Sequence, residues 1–284
     1  MSEIAFIVDS CGDVSKELCK ENGIYTVPVL LNHEGVEYED GEAITAPEVY
    51  KILENGGFPK TSLPSAERIK ATLDEIAQAG YKKVVVVTMS SAISGTWNLF
   101  RIICEEYEKL ETIVFDSHMA SIAEGCLILQ IAKEVKEGLT WEKIHERLER
   151  LRENTKPFFA LDTVEYLEKG GRIGKVTALA GKVLNIKLIL SFDEEGVINS
   201  YDKVRGRAKA AKRVIEHLIE AAGEHKKYNL VFADGGIPEE REALKKEVRE
   251  KLPNAVHIWD AQIGCALGVY LGPNLLGAGV QILD

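Results

Sequence analysis

The 284-residue chain lacks most of the signatures that would assign it a chemistry. It has no G-x-x-x-x-G-K-[ST] loop and no G-x-G-x-x-G, so nothing in it argues for nucleotide binding. It has no G-x-S-x-G elbow; its hydroxyl-rich turn reads Ala92-Ile93-Ser94-Gly95-Thr96. No DxD or EF-hand spacing links its carboxylates. Its five cysteines (Cys11, Cys19, Cys104, Cys126 and Cys265) are scattered, odd in number and without a C-x-x-C pair. That argues against a zinc site or a disulfide framework and for reduced thiols in a cytoplasmic protein. Met1-Ser2-Glu3 shows neither the basic start nor the apolar core of a secretory leader. No stretch approaches the roughly 20 apolar residues of a membrane span. Internal repeats and low-complexity tracts are missing as well.

Positive charge is also scarce: the formal net charge is -10, which disfavours wholesale nucleic-acid binding. The imbalance is uneven. Between Lys169 and Arg213 there are eleven basic and four acidic residues, a local +7, which leaves -17 on the rest of the chain. One basic segment on an acidic body suggests a local docking surface for something negative.

What the sequence does have is a run of four valines, Val84 to Val87, followed by Thr88-Met89-Ser90-Ser91-Ala92-Ile93-Ser94-Gly95-Thr96. The valines predict a strand buried on both faces, as in a parallel sheet covered by helices. Trp97, Phe100, Ile103, Cys104 and Tyr107 share one face of a following helix. A buried strand, a small polar loop and a helix start together form a place to hold an anion. Ser94 and Thr96 add donors there without adding charge. The plainer reading is that Ser94 only caps the helix. A second loop of this type, Lys60-Thr61-Ser62-Leu63-Pro64-Ser65, also precedes a helix; Pro64 makes the residues before it extended. Two such loops in one chain point to a shared anion site.

The N-terminal half alternates strand and helix. Strands are expected at 4–8, 27–31, 84–87 and 112–115. Helices are expected after Asp13, after a capping box at Thr45–Glu48, after Ser65, from Trp97, after a second capping box at Ser121–Glu124, and from Thr140 to Arg152. This predicts a parallel α/β sheet with ligands beyond the carboxyl ends of its strands, where Ser10, the Ser94 loop and Ser117 should emerge. Past Lys156-Pro157 the pattern becomes α+β: a strand at 158–161, a short helix ending at Gly170-Gly171, a small-residue helix through Leu184, a hairpin around Asp193-Glu194-Glu195-Gly196, then helices to Ala222 and from Pro238, with strands at 230–233, 256–259 and 279–282. The expected division is residues 1–155, a parallel α/β domain, and 156–284, an α+β domain.

Several residue types admit a catalytic reading. Asp9, Asp116, Asp162 and Asp234 fall at strand ends, where carboxylates can serve a metal or phosphotransfer site, Asp9 and Asp116 foremost, or simply cap the next turn or helix. Ser94 can serve a hydrolase if a base lies beside it; of the six histidines, only His118 falls near the predicted site. Arg172, Arg205 and Arg207 offer planar forks for a phosphate or carboxylate, or form a solvated basic face.

Taken in order, Val8-Asp9-Ser10, Thr61-Ser62-Leu63-Pro64-Ser65, Ser94-Gly95-Thr96, Asp116-Ser117, Glu165-Tyr166-Leu167-Glu168-Lys169-Gly170-Gly171-Arg172-Ile173, Leu184-Asn185-Ile186-Lys187 and Lys203-Val204-Arg205-Gly206-Arg207 resemble the DegV family of bacterial fatty-acid-binding proteins, from residue 4 to the C-terminus. The resemblance implies a two-domain α/β protein that encloses one long-chain, palmitate-like fatty acid between its domains and is itself no catalyst, with no cofactor or metal. It implies that Thr61 and Ser94 bind the carboxylate, with Ser62, Gly95 and Thr96 completing the cradle. It also implies that Arg172, Arg205 and Arg207 meet the acyl head group or a partner fatty-acid kinase. Two positions depart from the family pattern. Leu63 stands where glutamine is frequent, and Tyr270 in Tyr270-Leu271-Gly272-Pro273-Asn274 stands where the family shows histidine. A tyrosine still donates a hydrogen bond to a carboxylate but supplies no cation near neutral pH.

Overall fold

In the computed structural model, which describes residues 3–176 and 185–284, the chain builds two main sheets and a small third one. The first half runs β1 (Ile4–Asp9), α1 (Lys16–Asn22), β2 (Ile24–Val27), β3 (Leu30–His33), β4 (Val36–Glu39), α2 (Ala46–Glu54), β5 (Lys60–Ser62), α3 (Ala66–Gln78), β6 (Lys83–Thr88), α4 (Thr96–Glu105), β7 (Glu111–Asp116), α5 (Ile122–Lys136) and α6 (Trp141–Glu153). Its sheet has the order β2-β1-β6-β7, all parallel. Val84 to Val87 are fully buried in β6, as a strand covered on both faces requires. The strand order switches direction between β1 and β6, which in open α/β sheets is where a crevice forms beyond the strand ends.

The second half runs β8 (Thr155–Leu161), α7 (Glu165–Lys169), β9 (Ile186–Phe192), β10 (Ile198–Arg205), α8 (Arg207–Ala222), β11 (Tyr228–Asp234), α9 (Pro238–Lys251), β12 (Ala255–Gln262), α10 (Cys265–Leu271) and β13 (Leu276–Ile282). Its mixed sheet has the order β10-β9-β8-β13-β11-β12, in which only β11 and β12 pair in parallel. The expected α/β and α+β halves are both present. The small-residue helix expected up to Leu184 lies almost wholly outside the described residues.

Several sequence expectations need correction. The run 27–31 is not one strand: β2 ends at Val27 and β3 begins at Leu30, because Pro28 has no N–H for a ladder. The Thr61–Ser62 segment is not a loop but β5, paired with β3 in a third sheet of order β4-β3-β5. The capping box at Ser121–Glu124 does not form: Ser121 has φ +59°, and its Oγ donates to Asp13 Oδ2 at 2.6 Å rather than serving the helix. The box at Thr45–Glu48 does form, with the Thr45 amide donating to Glu48 Oε2 at 2.8 Å.

The helix that joins the two sheets is α5. Every residue from Ile122 to Ala132 is buried, and the helix touches β1 and β6 of the first sheet and β8, β11 and β12 of the second. A helix with neighbours on all sides needs apolar residues all round rather than one stripe, which is what Cys126-Leu127-Ile128-Leu129 provides.

Candidate functional site

A cavity of about 320 Å³ lies between the two sheets, within the range of small-molecule sites. Its walls come from both halves. Cys11 and Met89 contribute from the carboxyl ends of β1 and β6, at the switch point. The segment 120–123 contributes from the start of α5, and Phe159, Val231, Ala233 and Gly277 from the second sheet. Most of this lining is apolar. Ser10 and Ser117 emerge at the strand ends as expected but turn to structural tasks: Ser10 Oγ donates to Asp40 Oδ2 at 2.7 Å, and Ser117 Oγ to the Met119 carbonyl at 3.1 Å. Neither lines the cavity among the described residues.

Polar lining collects at one end, and a chain of contacts holds it together. The hydroxyls of Thr61 and Tyr270 are hydrogen-bonded to each other. The Arg172 guanidinium lies 5.2 Å from the Tyr270 ring centroid, and its Nη1 donates to the Gly170 carbonyl at 2.8 Å. Leu63 reaches over Gly95: a Cβ at Gly95 would stand 3.5 Å from both Leu63 methyls. Thr61, Ser62, Ser94, Gly95, Arg172 and Tyr270 therefore face one mouth. Thr96 lies one step behind: it is fully buried, and its hydroxyl meets Ser94 Oγ at 2.8 Å. Ser94 Oγ also accepts from the Thr96 amide at 3.3 Å, but the N-cap of α4 is Gly95 and no side chain caps the helix, so Ser94 is not the cap of the plainer reading.

Arg205 and Arg207 are not in this lining. Arg205 is exposed on β10. Arg207 opens α8 and is committed to Asp162 (3.1 Å), Glu240 (2.7 Å) and the Asn274 carbonyl (3.1 Å). The structure thus brings Arg172 together with the two hydroxyl segments and keeps the other two arginines apart from them.

The helix that carries Tyr270 is placed by residues more than 200 positions away. Asp40 Oδ1 accepts from the amides of Cys265 (2.9 Å) and Ala266 (3.2 Å), and Asp13 Oδ1 from that of Gly264 (2.9 Å). Carboxylates from the first half thereby satisfy the free amides at the start of α10 and favour its positive end. Asp13 is therefore not the cap of α1 expected from its position in the sequence; that cap is Ser15, whose Oγ accepts from Leu18 at 3.2 Å. Helix α10 itself escaped the sequence patterns, because its Cys-Ala-Leu-Gly-Val run is apolar on every side and shows no helical stripe.

The groups with a catalytic reading are engaged elsewhere. Both oxygens of Asp9 are taken by amides, Cys11 at 2.8 Å and Met89 at 2.9 Å, and burial pushes its carboxyl up to about 7 against the pull of those donors. Asp116 accepts from the amides of Ser91 (3.1 Å) and His118 (3.0 Å). Asp234 accepts from Gly236 and Ile237 and pairs with Arg241. These are turn and helix-start tasks. His118 turns its Nδ1 to the Glu194 carbonyl at 2.8 Å.

Comparison with known proteins settles the kinship. The family profile described as "Uncharacterised protein, DegV family" matches residues 3–282. The chain belongs to the DegV family. A DegV domain-containing protein of Clostridium acetobutylicum is 35% identical over 277 residues, covering 98% of each chain. Among solved structures, a fatty-acid-binding DegV family protein of Thermus thermophilus superposes with TM-score 0.92 at 28% identity, covering 99% of both chains. A stearic-acid-binding protein of Eubacterium ventriosum superposes with TM-score 0.89 at 28% identity, covering 99% of this chain and 98% of that one. Both of these proteins of the same fold bind a fatty acid, in the second case stearic acid. Among the described residues of this DegV chain, no helix is long and apolar enough to cross a membrane.

Proposed function

We propose that this DegV protein binds one long-chain, palmitate-like fatty acid in the cavity between its sheets. The observation that carries the reading is the division of the cavity among the described residues: a mostly apolar body and a polar mouth made of hydroxyls, amides and Arg172. An alkyl tail gains about 0.8 kcal/mol per buried methylene before ordering costs, so the body supplies most of the affinity. Thr61 and Ser94 donate to the carboxylate, with Ser62, the Gly95 amide and Tyr270 beside them. Thr96 acts through Ser94 by fixing its hydroxyl, and Arg172 supplies a positive charge. Neutral donors grip an acid without reacting with it, and the Ser94 hydroxyl is bonded to another alcohol, Thr96, rather than to a base. That favours a binding protein over a hydrolase.

In this reading residues 1–155 and 156–284 act as two domains that close on the lipid, and the protein works in the bacterial cytoplasm. Its exposed basic face around Arg205 meets a fatty-acid kinase that modifies the presented head group, while Arg207 holds the start of α8 through its ion pairs. Native mass spectrometry of protein from a bacterial host is expected to show an added mass equal to a fatty acid, replaceable by added palmitate. A clean apo mass together with no palmitate uptake overturns the reading. Replacing both Thr61 and Ser94 by alanine should weaken binding by about a hundredfold, at roughly 1.5 kcal/mol for each of the two lost charge-assisted bonds, while uptake through the tail persists. An unchanged affinity would remove the cradle assignment.

A further inference from the structure

The pairing of the second sheet lays out the cavity floor as three cross-strand rows. The first is Ala233–Gly277–Phe159, the second Val231–Gly279–Pro157 and the third Asn229–Gln281–Thr155, each taken across β11, β13 and β8. Side chains two apart on a strand share a face, so the three rows lie on the same side of the sheet, about 7 Å apart. All of the first row lines the cavity; from the second, Val231 and Pro157 do; none of the third does. The roof runs the same way. Ala123 lines the cavity, whereas Cys126 and Gln130, one and two turns further along α5, do not. The mouth lies at the opposite end, because Leu271 and Leu275, between Tyr270 and β13, also line the space.

The third row is polar and closed on itself. Asn229 Nδ2 donates to Gln130 Oε1 (2.8 Å) and to Gln281 Oε1 (2.9 Å), and Gln281 Nε2 donates to Thr155 Oγ1 and Cys126 Sγ (3.3 Å each). The Asn229 Oδ1 accepts the His257 amide at 3.2 Å, and Gln130 Nε2 donates to Glu134 at 2.9 Å. Asn229 and Gln281 are fully buried, and every amide group in the set has a partner. Such a network resists displacement, since an alkyl end pushed into it would strip hydrogen bonds that nothing replaces. The glycines before it mark the contrast. At Gly279 a Cβ would come within 2.9 Å of Val231 Cγ2, so this row has been kept thin up to the point where the amides begin.

We infer that the Asn229–Gln281–Gln130 amide network is the end-stop of the cavity and sets the longest tail the protein accepts. The inference rests on the fatty-acid reading above and adds the residues that select chain length. With a row spacing of about 7 Å and an advance of roughly 1.25 Å per carbon of an extended chain, one row corresponds to about five or six carbons. Affinity for saturated acids should rise with each carbon until the tail meets the third row, then fall.

The test is a series of saturated acids, from dodecanoate to docosanoate, titrated against three proteins by competition with a fluorescent fatty acid. Val231→Phe fills the second row from a position that faces open space. It should lower the affinity for stearate relative to tetradecanoate at least tenfold. Asn229→Ala with Gln281→Gly opens the third row and should move the optimum to longer acids by two carbons or more. If Val231→Phe leaves the length profile where it was, the end-stop lies elsewhere and the inference is wrong, whatever becomes of the double variant. If the unmodified protein binds no acid of any length, the fatty-acid reading itself fails and takes the inference with it. Binding with no length optimum in the unmodified protein overturns the end-stop alone.

Discussion

Glu124 is the third residue of α5, just behind the cavity wall, and it is the least comfortable residue in the molecule. It is completely buried, and neither carboxyl oxygen has a hydrogen-bond partner among the described residues. Gly12 presses against it: a Cβ there would stand 3.3 Å from Glu124 Oε1. Burial, and then the charges of Asp9, Asp13 and Asp116, hold its carboxyl well above the ordinary range. An acid whose pKa is raised on folding binds its proton more tightly in the folded chain. Its stabilising contribution is complete below the unfolded value and is lost as pH rises toward the folded one. Over that window each pH unit removes about 1.4 kcal/mol.

Glu124→Gln carries no proton to lose. Its amide will also lack partners, a penalty of about 1–3 kcal/mol that does not depend on pH. The informative quantity is therefore the slope and not the offset. As pH rises above about 5 the variant should gain on the unmodified protein by about 1.4 kcal/mol per pH unit, roughly 2–4 °C in Tm, for as long as the folded carboxyl keeps its proton. Asp9, raised to about 7 by burial, adds a falling slope of the same sign to both proteins. Thermal or urea unfolding at half-unit pH steps measures this directly. Parallel curves for the two proteins would refute the reasoning, because they would mean that Glu124 is ionised in the fold and has found a counter-charge or solvent.

How much of this was legible in the sequence depends on the range over which each residue acts. Val84 to Val87 and the hydroxyl runs after them are local patterns, and the strand, the turn and Ser94 came out where they were expected. Thr61 was legible as a polar residue before a helix, but not as a strand, because β5 is three residues long and exists only by pairing with β3. The cavity walls were illegible for a different reason. Ala233, Gly277 and Phe159 become neighbours through the register of three strands separated by more than 40 residues, and no spacing rule reports that. Local pattern marks Asp13 at most as a cap and Asp40 not at all, since a carboxylate before a helix says nothing about a second helix 225 residues later. The same holds for Gln130, Asn229 and Gln281, three ordinary amides until the fold gathers them. The DegV motifs could be recognised because they are short local segments, whereas the features that shape the cavity are products of pairing.

Two further expectations concern single positions. Gly196, in the hairpin turn between β9 and β10, has φ +76°, and its carbonyl accepts from Ser90 Oγ at 2.8 Å, joining the second half to the first. A Cβ there would collide with Ser90 Oγ and come within 2.8 Å of His118 Cα, so Gly196→Ala should lose about 2–4 kcal/mol in urea unfolding; a loss below about 0.5 kcal/mol would show that the turn is not held against Ser90. On the proposed fatty-acid reading, a substitution at Arg172 tests head-group recognition apart from tail burial. Its hydrogen bonds go to the carbonyls of Ile93 and Gly170, and among the described residues no carboxylate pairs with it, so its charge is uncommitted; Arg207, by contrast, has Asp162 and Glu240. An exposed cation some 4–6 Å from a carboxylate contributes about 1 kcal/mol, so Arg172→Ala should weaken palmitate about three- to tenfold and leave the matching alcohol, hexadecanol, unaffected. Arg207→Ala should move neither ligand but lower the melting temperature. Equal losses for acid and alcohol at Arg172 would mean that it acts only by packing on Tyr270, and the mouth would then recognise its ligand through hydroxyls and amides alone.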